Sequence, residues 1–182
     1  MSHALSVPVA GTAQSRGQYL TFQLGEEIFA LDIGSVREII QCGPMTAVPL
    51  MPKFVRGVIN LRGAVVPVID LHARFGRRAA VLGKKSCIVI FETRCGAEHE
   101  RVVLGLLVDA VSEVIDLPPD TIEPAPTFGA SVRRDFIRGV GKIQMRRTGA
   151  SRFVILLEAD KAFDVGDMAL LCDAVHEPAV AA

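Results

Sequence analysis

Neither sign of charge is in excess in this sequence: 20 Lys and Arg stand against 20 Asp and Glu, for a formal net charge of zero. A nucleic-acid binder needs a basic surplus to neutralise phosphates, so nucleic acid is not an expected partner. Long apolar runs are also missing. The stretch Val102 to Val108 is closed by Asp109, far short of the ~20 residues that span a bilayer. Met1 to Gly17 mixes Ala, Ser, Gly and Pro without the basic start and continuous apolar stretch of a secretory signal, and is read as a flexible tail. Neither a phosphate loop G-x-x-x-x-G-K-[ST] nor a dinucleotide fingerprint G-x-G-x-x-G occurs. The cysteines Cys42, Cys87, Cys95 and Cys172 form no C-x-x-C pair, and His3, His72, His99 and His176 are too widely spaced for a local metal motif. The expectation is a reduced, cytoplasmic protein without metal or cofactor.

What is present is β-type patterning, in a chain of 182 residues of which 50% are hydrophobic, enough for one ordinary domain or two small barrels sharing an interface. Leu20, Phe22 and Leu24 alternate with Tyr19, Thr21 and Gln23, the period of a half-buried strand. Ile28 to Ile33 and Val36 to Ile40 continue as strands about a bend at Gly34-Ser35. Arg56 to Leu61 and Ala64 to Leu71 form the clearest hairpin, turning at Arg62-Gly63, where Gly supplies a positive φ. Pro67 has no N–H to donate, which places its part of the strand at an edge or bulge. The basic stretch Gly76 to Lys85 reads as the boundary between two halves. Cys87 to Phe91, Arg101 to Val108 and Val111 to Leu117 are further strands, and Phe136 to Gln144 with Phe153 to Glu158 a further hairpin. Met168, Leu171, Cys172 and Val175 mark one face of a C-terminal helix.

Two echoes run through the chain in the same order. Val36-Arg37-Glu38-Ile39-Ile40 is matched by Val111-Ser112-Glu113-Val114-Ile115, and Phe54-Val55-Arg56-Gly57-Val58 by Phe136-Ile137-Arg138-Gly139-Val140. One such echo is easily chance; two in register imply two similar β units.

Few residues invite chemistry. Asp70 and His72, two apart at a strand end, could orient each other, but no nucleophile is near in sequence, and a capping or surface role suits them better. A barrel enzyme using Cys42 or Cys95 as nucleophile is the competing class, and needs a lowered thiol pKa and a nearby base. Arg62, at the hairpin tip in Asn60-Leu61-Arg62-Gly63, is suited to a carboxylate or carbonyl on a partner. A solvated turn arginine fits the same residues. Glu38 is equally readable as an exposed polar position or as a contact.

The run Arg56-Gly57-Val58-Ile59-Asn60-Leu61-Arg62-Gly63-Ala64-Val65-Val66-Pro67-Val68-Ile69-Asp70-Leu71 resembles the signature of the chemotaxis adaptor family CheW and of the homologous regulatory domain of the chemotaxis histidine kinase. The resemblance continues through Leu31-Asp32-Ile33, Val36-Arg37-Glu38-Ile39, Val108-Asp109-Ala110-Val111-Ser112-Glu113-Val114, Pro124-Ala125-Pro126 and Met168-Ala169-Leu170-Leu171, covering about residues 18–175. It implies a mainly β fold of two SH3-like five-stranded barrels around a shared hydrophobic interface, with a C-terminal α-helix over about 166–175. The first barrel unit would take about 18–83 and the second about 84–158, with strands open to exchange between them, and 176–182 a short tail.

It also implies an adaptor without catalysis. The partners would be the regulatory domain of a histidine kinase and the cytoplasmic tip of a methyl-accepting chemoreceptor, in arrays at the membrane. By the same resemblance Arg62, with Asn60 and Gly63 beside it, serves receptor–kinase coupling, and Val36 and Glu38 lie in the receptor-binding region. The related CheV type adds a phosphorylatable receiver domain, for which the sequence after the C-terminal helix leaves no room.

The apolar face of that last helix gives a first expectation. Leu171→Asp should lower the melting temperature, because burying an unpaired carboxylate costs several kcal/mol. An unchanged thermal melt would mean that the helix is not docked.

Overall fold

The structure, a computed structural model, describes residues 7–8, 17–95, 100–125 and 134–163. The helix expected over 166–175 lies outside the described residues. The strands are β1 (Val7–Pro8), β2 (Gln18–Leu24), β3 (Glu27–Asp32), β4 (Val36–Gln41), β5 (Val55–Leu61), β6 (Ala64–Asp70), β7 (Cys87–Cys95), β8 (Glu100–Val108), β9 (Ala110–Asp116), β10 (Ile137–Gln144) and β11 (Ser151–Leu157). Two short helices, α1 (Leu71–Arg74) and α2 (Ala159–Ala162), follow β6 and β11.

Local chemistry accounts for the bends. Asp32 Oδ1 accepts from the Gly34 amide at 2.8 Å, turning the chain through a 3-10 helix between β3 and β4. Asp70 does the same for α1, with Oδ1 accepting from the Ala73 amide at 3.2 Å. Pro67 lies in an inner strand, yet its missing N–H is harmless. Val58, opposite it on β5, exchanges both its backbone bonds with Thr46 on the other side, so Pro67 and Val58 are not hydrogen-bonded to each other. Pro67 therefore faces the side on which pairing with β8 begins only at Val68.

One sheet runs β1-β4-β7-β8-β6-β5 and the other β9-β2-β3-β11-β10, read from the end that starts with β9. Leaving β1 aside, the two five-stranded orders correspond position by position, with β4 matching β9, β5 matching β10 and β6 matching β11. The hairpins change places. The β2–β3 hairpin of the first half completes the sheet built from β9, β10 and β11, and the β7–β8 hairpin of the second half completes the sheet of β4, β5 and β6. Residues 18–83 supply β2 to β6 and residues 84–158 supply β7 to β11, and each sheet draws on both stretches. Two parallel pairings, β6 with β8 and β11 with β3, join borrowed hairpin to host strands.

Both sheets are curled in the SH3-like manner, and in neither do the end strands form a continuous ladder with each other. A single two-residue bridge takes that place. Thr46, beyond β4, exchanges bonds of 3.0 and 2.9 Å with Val58 on β5; Glu123, beyond β9, exchanges bonds of 2.9 and 2.8 Å with Val140 on β10. The equivalent Gly57 and Gly139 sit at matching register shifts beside these bridges. A Cβ on Gly57 would lie 2.7 Å from the Thr46 carbonyl oxygen, and one on Gly139 2.7 Å from that of Glu123.

Among the described residues the apolar side chains form three clusters. Val66, Val68, Ile88, Ile90 and Leu107 pack inside the first sheet, and Tyr19, Ile28, Val154, Leu156 and Leu117 inside the second. The largest cluster lies between the sheets, where Phe22, Phe29 and Leu31 meet Ile69, Phe91 and Leu104. Strand β2 is accordingly buried on both faces rather than half-buried. Its Thr21 is accommodated because the hydroxyl donates to the Glu113 carbonyl at 2.6 Å and accepts from the Glu113 amide at 3.1 Å.

The paired bridges predict that Gly57→Ala and Gly139→Ala each destabilise the fold by about 1–3 kcal/mol, as overpacking against backbone does. Urea unfolding of the two variants checks this; wild-type midpoints would mean that the closing segments can move away at no cost.

Candidate partner-coupling site

The turn between β5 and β6 is two residues long, with φ of 53° at Arg62 and 85° at Gly63. Two positive φ values define a type I′ turn, whose twist suits a hairpin. For Arg62 the left-handed conformation costs about 1–2 kcal/mol. Asn60 helps to hold it, because its Oδ1 accepts from the Gly63 amide at 2.9 Å.

The Arg62 side chain, so positioned, reaches across the curled sheet. Its Nη2 donates to Glu38 Oε2 at 3.0 Å, although β7 and β8 lie between β4 and β6 in the ladder. The partners differ sharply in environment: the Glu38 side chain is 8% exposed and that of Arg62 73%. Glu38 is therefore not the exposed polar position that its strand pattern allowed, and Arg62 is not a freely solvated turn residue. Val36, two residues before Glu38, is buried in the cluster between the sheets. Its side chain offers a partner no surface. The structure thus brings Asn60, Arg62, Gly63 and Glu38 together and leaves Val36 in the core beneath.

The second sheet repeats the arrangement more loosely. Glu113 on β9, at the echo position of Glu38, lies 3.9 Å from Nε of Arg146 in the β10–β11 turn, with side chains 34% and 89% exposed. Sequence reading missed this pair, although the echo at Val111 to Ile115 already contained Glu113.

A third feature lies where the sheets meet. The Arg74 guanidinium stands 4.8 Å from the ring centre of Phe54 and 4.7 Å from that of Phe136, the two equivalent phenylalanines of the repeat. A cleft of about 590 Å³ opens nearby, lined by residues of both sheets including Asp32, Arg37, Glu92, Arg138 and Glu158. Its four arginines are matched by four carboxylates, so it carries no net charge to select an ion of one sign.

Comparison with known proteins now decides the family. Residues 18–167 match the CheW-like domain. The chain is 36% identical over 159 residues to the probable chemotaxis protein CheW of Rhizobium etli, an alignment covering 87% of this chain and 95% of the relative. It is 32% identical over 154 residues to the chemotaxis protein CheW of Klebsiella aerogenes, covering 85% and 86%. The crystal structure of the scaffolding protein TtCheW from Thermoanaerobacter tengcongensis superposes with a TM-score of 0.69 at 31% identity, covering 92% of this chain and 95% of that one. The chain belongs to the CheW family.

Membership makes it a non-catalytic chemotaxis scaffold, and the titratable groups of this CheW-family chain fit that role. Asp70 and His72 do not meet. The buried Asp70 accepts from the Ala80 amide at 2.8 Å and pairs with Arg56 at 3.3 Å, pinning the loop after α1. His72 instead faces Asp109 at 3.0 Å, whose carboxylate also accepts from the Gly25 amide at 2.7 Å. Burial pushes the Cys42 and Cys87 thiols above their ordinary pKa, the wrong direction for a nucleophile. Among the described residues no helix is long and apolar enough to cross a membrane.

The two arginine pairs predict different couplings. A double-mutant cycle of Arg62→Ala with Glu38→Ala, measured by urea unfolding, should return an interaction near 1 kcal/mol, whereas Arg146→Ala with Glu113→Ala should return less, because exposed pairs are weakened by solvent. Equal values would remove the distinction between the tips.

Proposed function

We propose that this chain couples the cytoplasmic tip of chemoreceptors to the regulatory domain of a chemotaxis histidine kinase, by protein–protein binding in the cytoplasm at membrane-associated receptor arrays. The observation that carries the reading is the Arg62–Glu38 pair. A guanidinium that is largely solvent-exposed and held at a rigid turn is available to a partner carboxylate or carbonyl. The same group is tied to a buried acid on β4, whose neighbour Val36 enters the core shared by both sheets. A contact made at the tip therefore acts on β4 as well, and through Val36 on the packing between the sheets. This gives Val36 a positioning role in the receptor-binding region without direct contact. Curated relatives named as chemotaxis proteins and a solved relative described as a scaffold support the same reading.

Arg62→Ala separates the coupling role from a structural one. The variant should remain folded, because the residue is mostly exposed, and should bind partners more weakly by about 2–5 kcal/mol where the contact is desolvated. Receptor-stimulated kinase activity reconstituted with the folded variant should be lost. Wild-type stimulation would show that Arg62 serves only the fold, and calorimetry with the isolated kinase domain then shows whether binding itself survives.

A further inference from the structure

We propose that β1 is a built-in cover for the outer edge of β4, and that a receptor tip engaging the Arg62–Glu38 site must displace it. The proposal rests on the adaptor reading above. Residues 1–17 were expected to be a tail, yet Val7 pairs with Ile39 and Pro8 with Glu38 in antiparallel register. The β1 backbone therefore lies directly beside the acid that Arg62 holds.

The hydrogen-bond phase of β4 explains why this short segment fits. The Cys42 amide donates to the Ser86 carbonyl, which continues the β4–β7 ladder, so the amides of Glu38 and Ile40 also point toward β7. That of Ile39 points the other way, at β1. Val7 consequently takes the hydrogen-bonded position opposite Ile39, and Pro8 the position opposite Glu38 where no N–H is required. Without β1, β4 would be an end strand offering unpaired backbone groups, the kind of edge that accepts foreign strands. Its counterpart β9 has no such cover among the described residues.

The cover is suited to being removed. Two residue pairs hold it, against five between β4 and β7. Its advantage is the covalent tether through residues 9–17, which keeps it at an effective concentration on the order of millimolar. A partner at lower concentration competes with that tether, so its affinity is reduced while β1 is in place.

Native-state hydrogen exchange on the full-length protein tests the cover, and titration with a receptor-tip fragment tests its consequence. Val7→Pro removes the donor opposite Ile39, whereas Val7→Ala keeps it. The Ile39 amide should exchange about tenfold faster in Val7→Pro alone, with the Ile40 amide, which faces β7, unchanged in every variant as a check on the fold. Val7→Pro should also bind the receptor fragment several-fold more tightly. Equal Ile39 exchange in all three proteins overturns the cover. Faster exchange with unchanged affinity overturns the displacement and leaves the adaptor reading intact. If not even the wild-type protein binds the receptor fragment or the kinase domain, the adaptor reading fails and the displacement falls with it.

Discussion

Strands β2, β3, β7 and β8 each send alternate side chains into two cores at once, one inside their own curled sheet and one between the sheets. Burial on both faces makes their central stretches apolar, as in residues 28–31, 88–91 and 102–108. Neither hairpin can be withdrawn without opening the interior of one sheet and the interface between both. Because each hairpin belongs in sequence to the opposite half, the exchange locks the halves together more firmly than docking of two finished barrels would. An interface between finished units can slide, but here the interface strands are also the central strands of their sheets.

Closure of each curl depends on little by comparison. One backbone bridge beside a glycine, and one arginine reaching from a turn to a glutamate on the opposite strand, stand where a full ladder would close a complete barrel. The first sheet has the stronger version, with the glutamate buried and at hydrogen-bond distance. The second has a longer and more exposed pair. The two ends of this pseudo-symmetric molecule therefore differ in how rigidly their turns are held, and the better-held turn is the one that carries Arg62.

Much of the fold was legible because strand, turn and echo signals are local. Alternation located β2, β-type sequence located β3, Gly63 marked the hairpin turn, and the two echoes matched β4 to β9 and β5 to β10. What escaped reading depends on contacts distant in sequence. Thr21 stands on the polar side of the alternation yet is buried, its hydroxyl satisfied by the backbone of Glu113, and Glu38 stayed open between exposed position and contact because its cation comes from the tip of another hairpin. The echoes announced two units, but nothing local says which hairpin each unit borrows. At the site, Arg62 and its turn neighbours were readable from the motif. Their tie to β4 was not, and neither was the strand at Val7–Pro8, whose pattern only makes sense opposite Ile39.

The exchange of hairpins also sets an order of events during synthesis. When β2 and β3 leave the ribosome, the strands that flank them are not yet made: Leu20 pairs with Val114, and Phe29 with Ile155. Until then the first hairpin presents two unpaired edges and two apolar faces to the cell, a condition that invites aggregation. Native structure cannot accumulate half by half as the chain grows. It must form late, in one step dominated by distant pairings, and such folds are slow. The nascent chain is therefore most vulnerable near its midpoint, when β4 to β6 are complete but still lack the β7–β8 hairpin that completes their sheet.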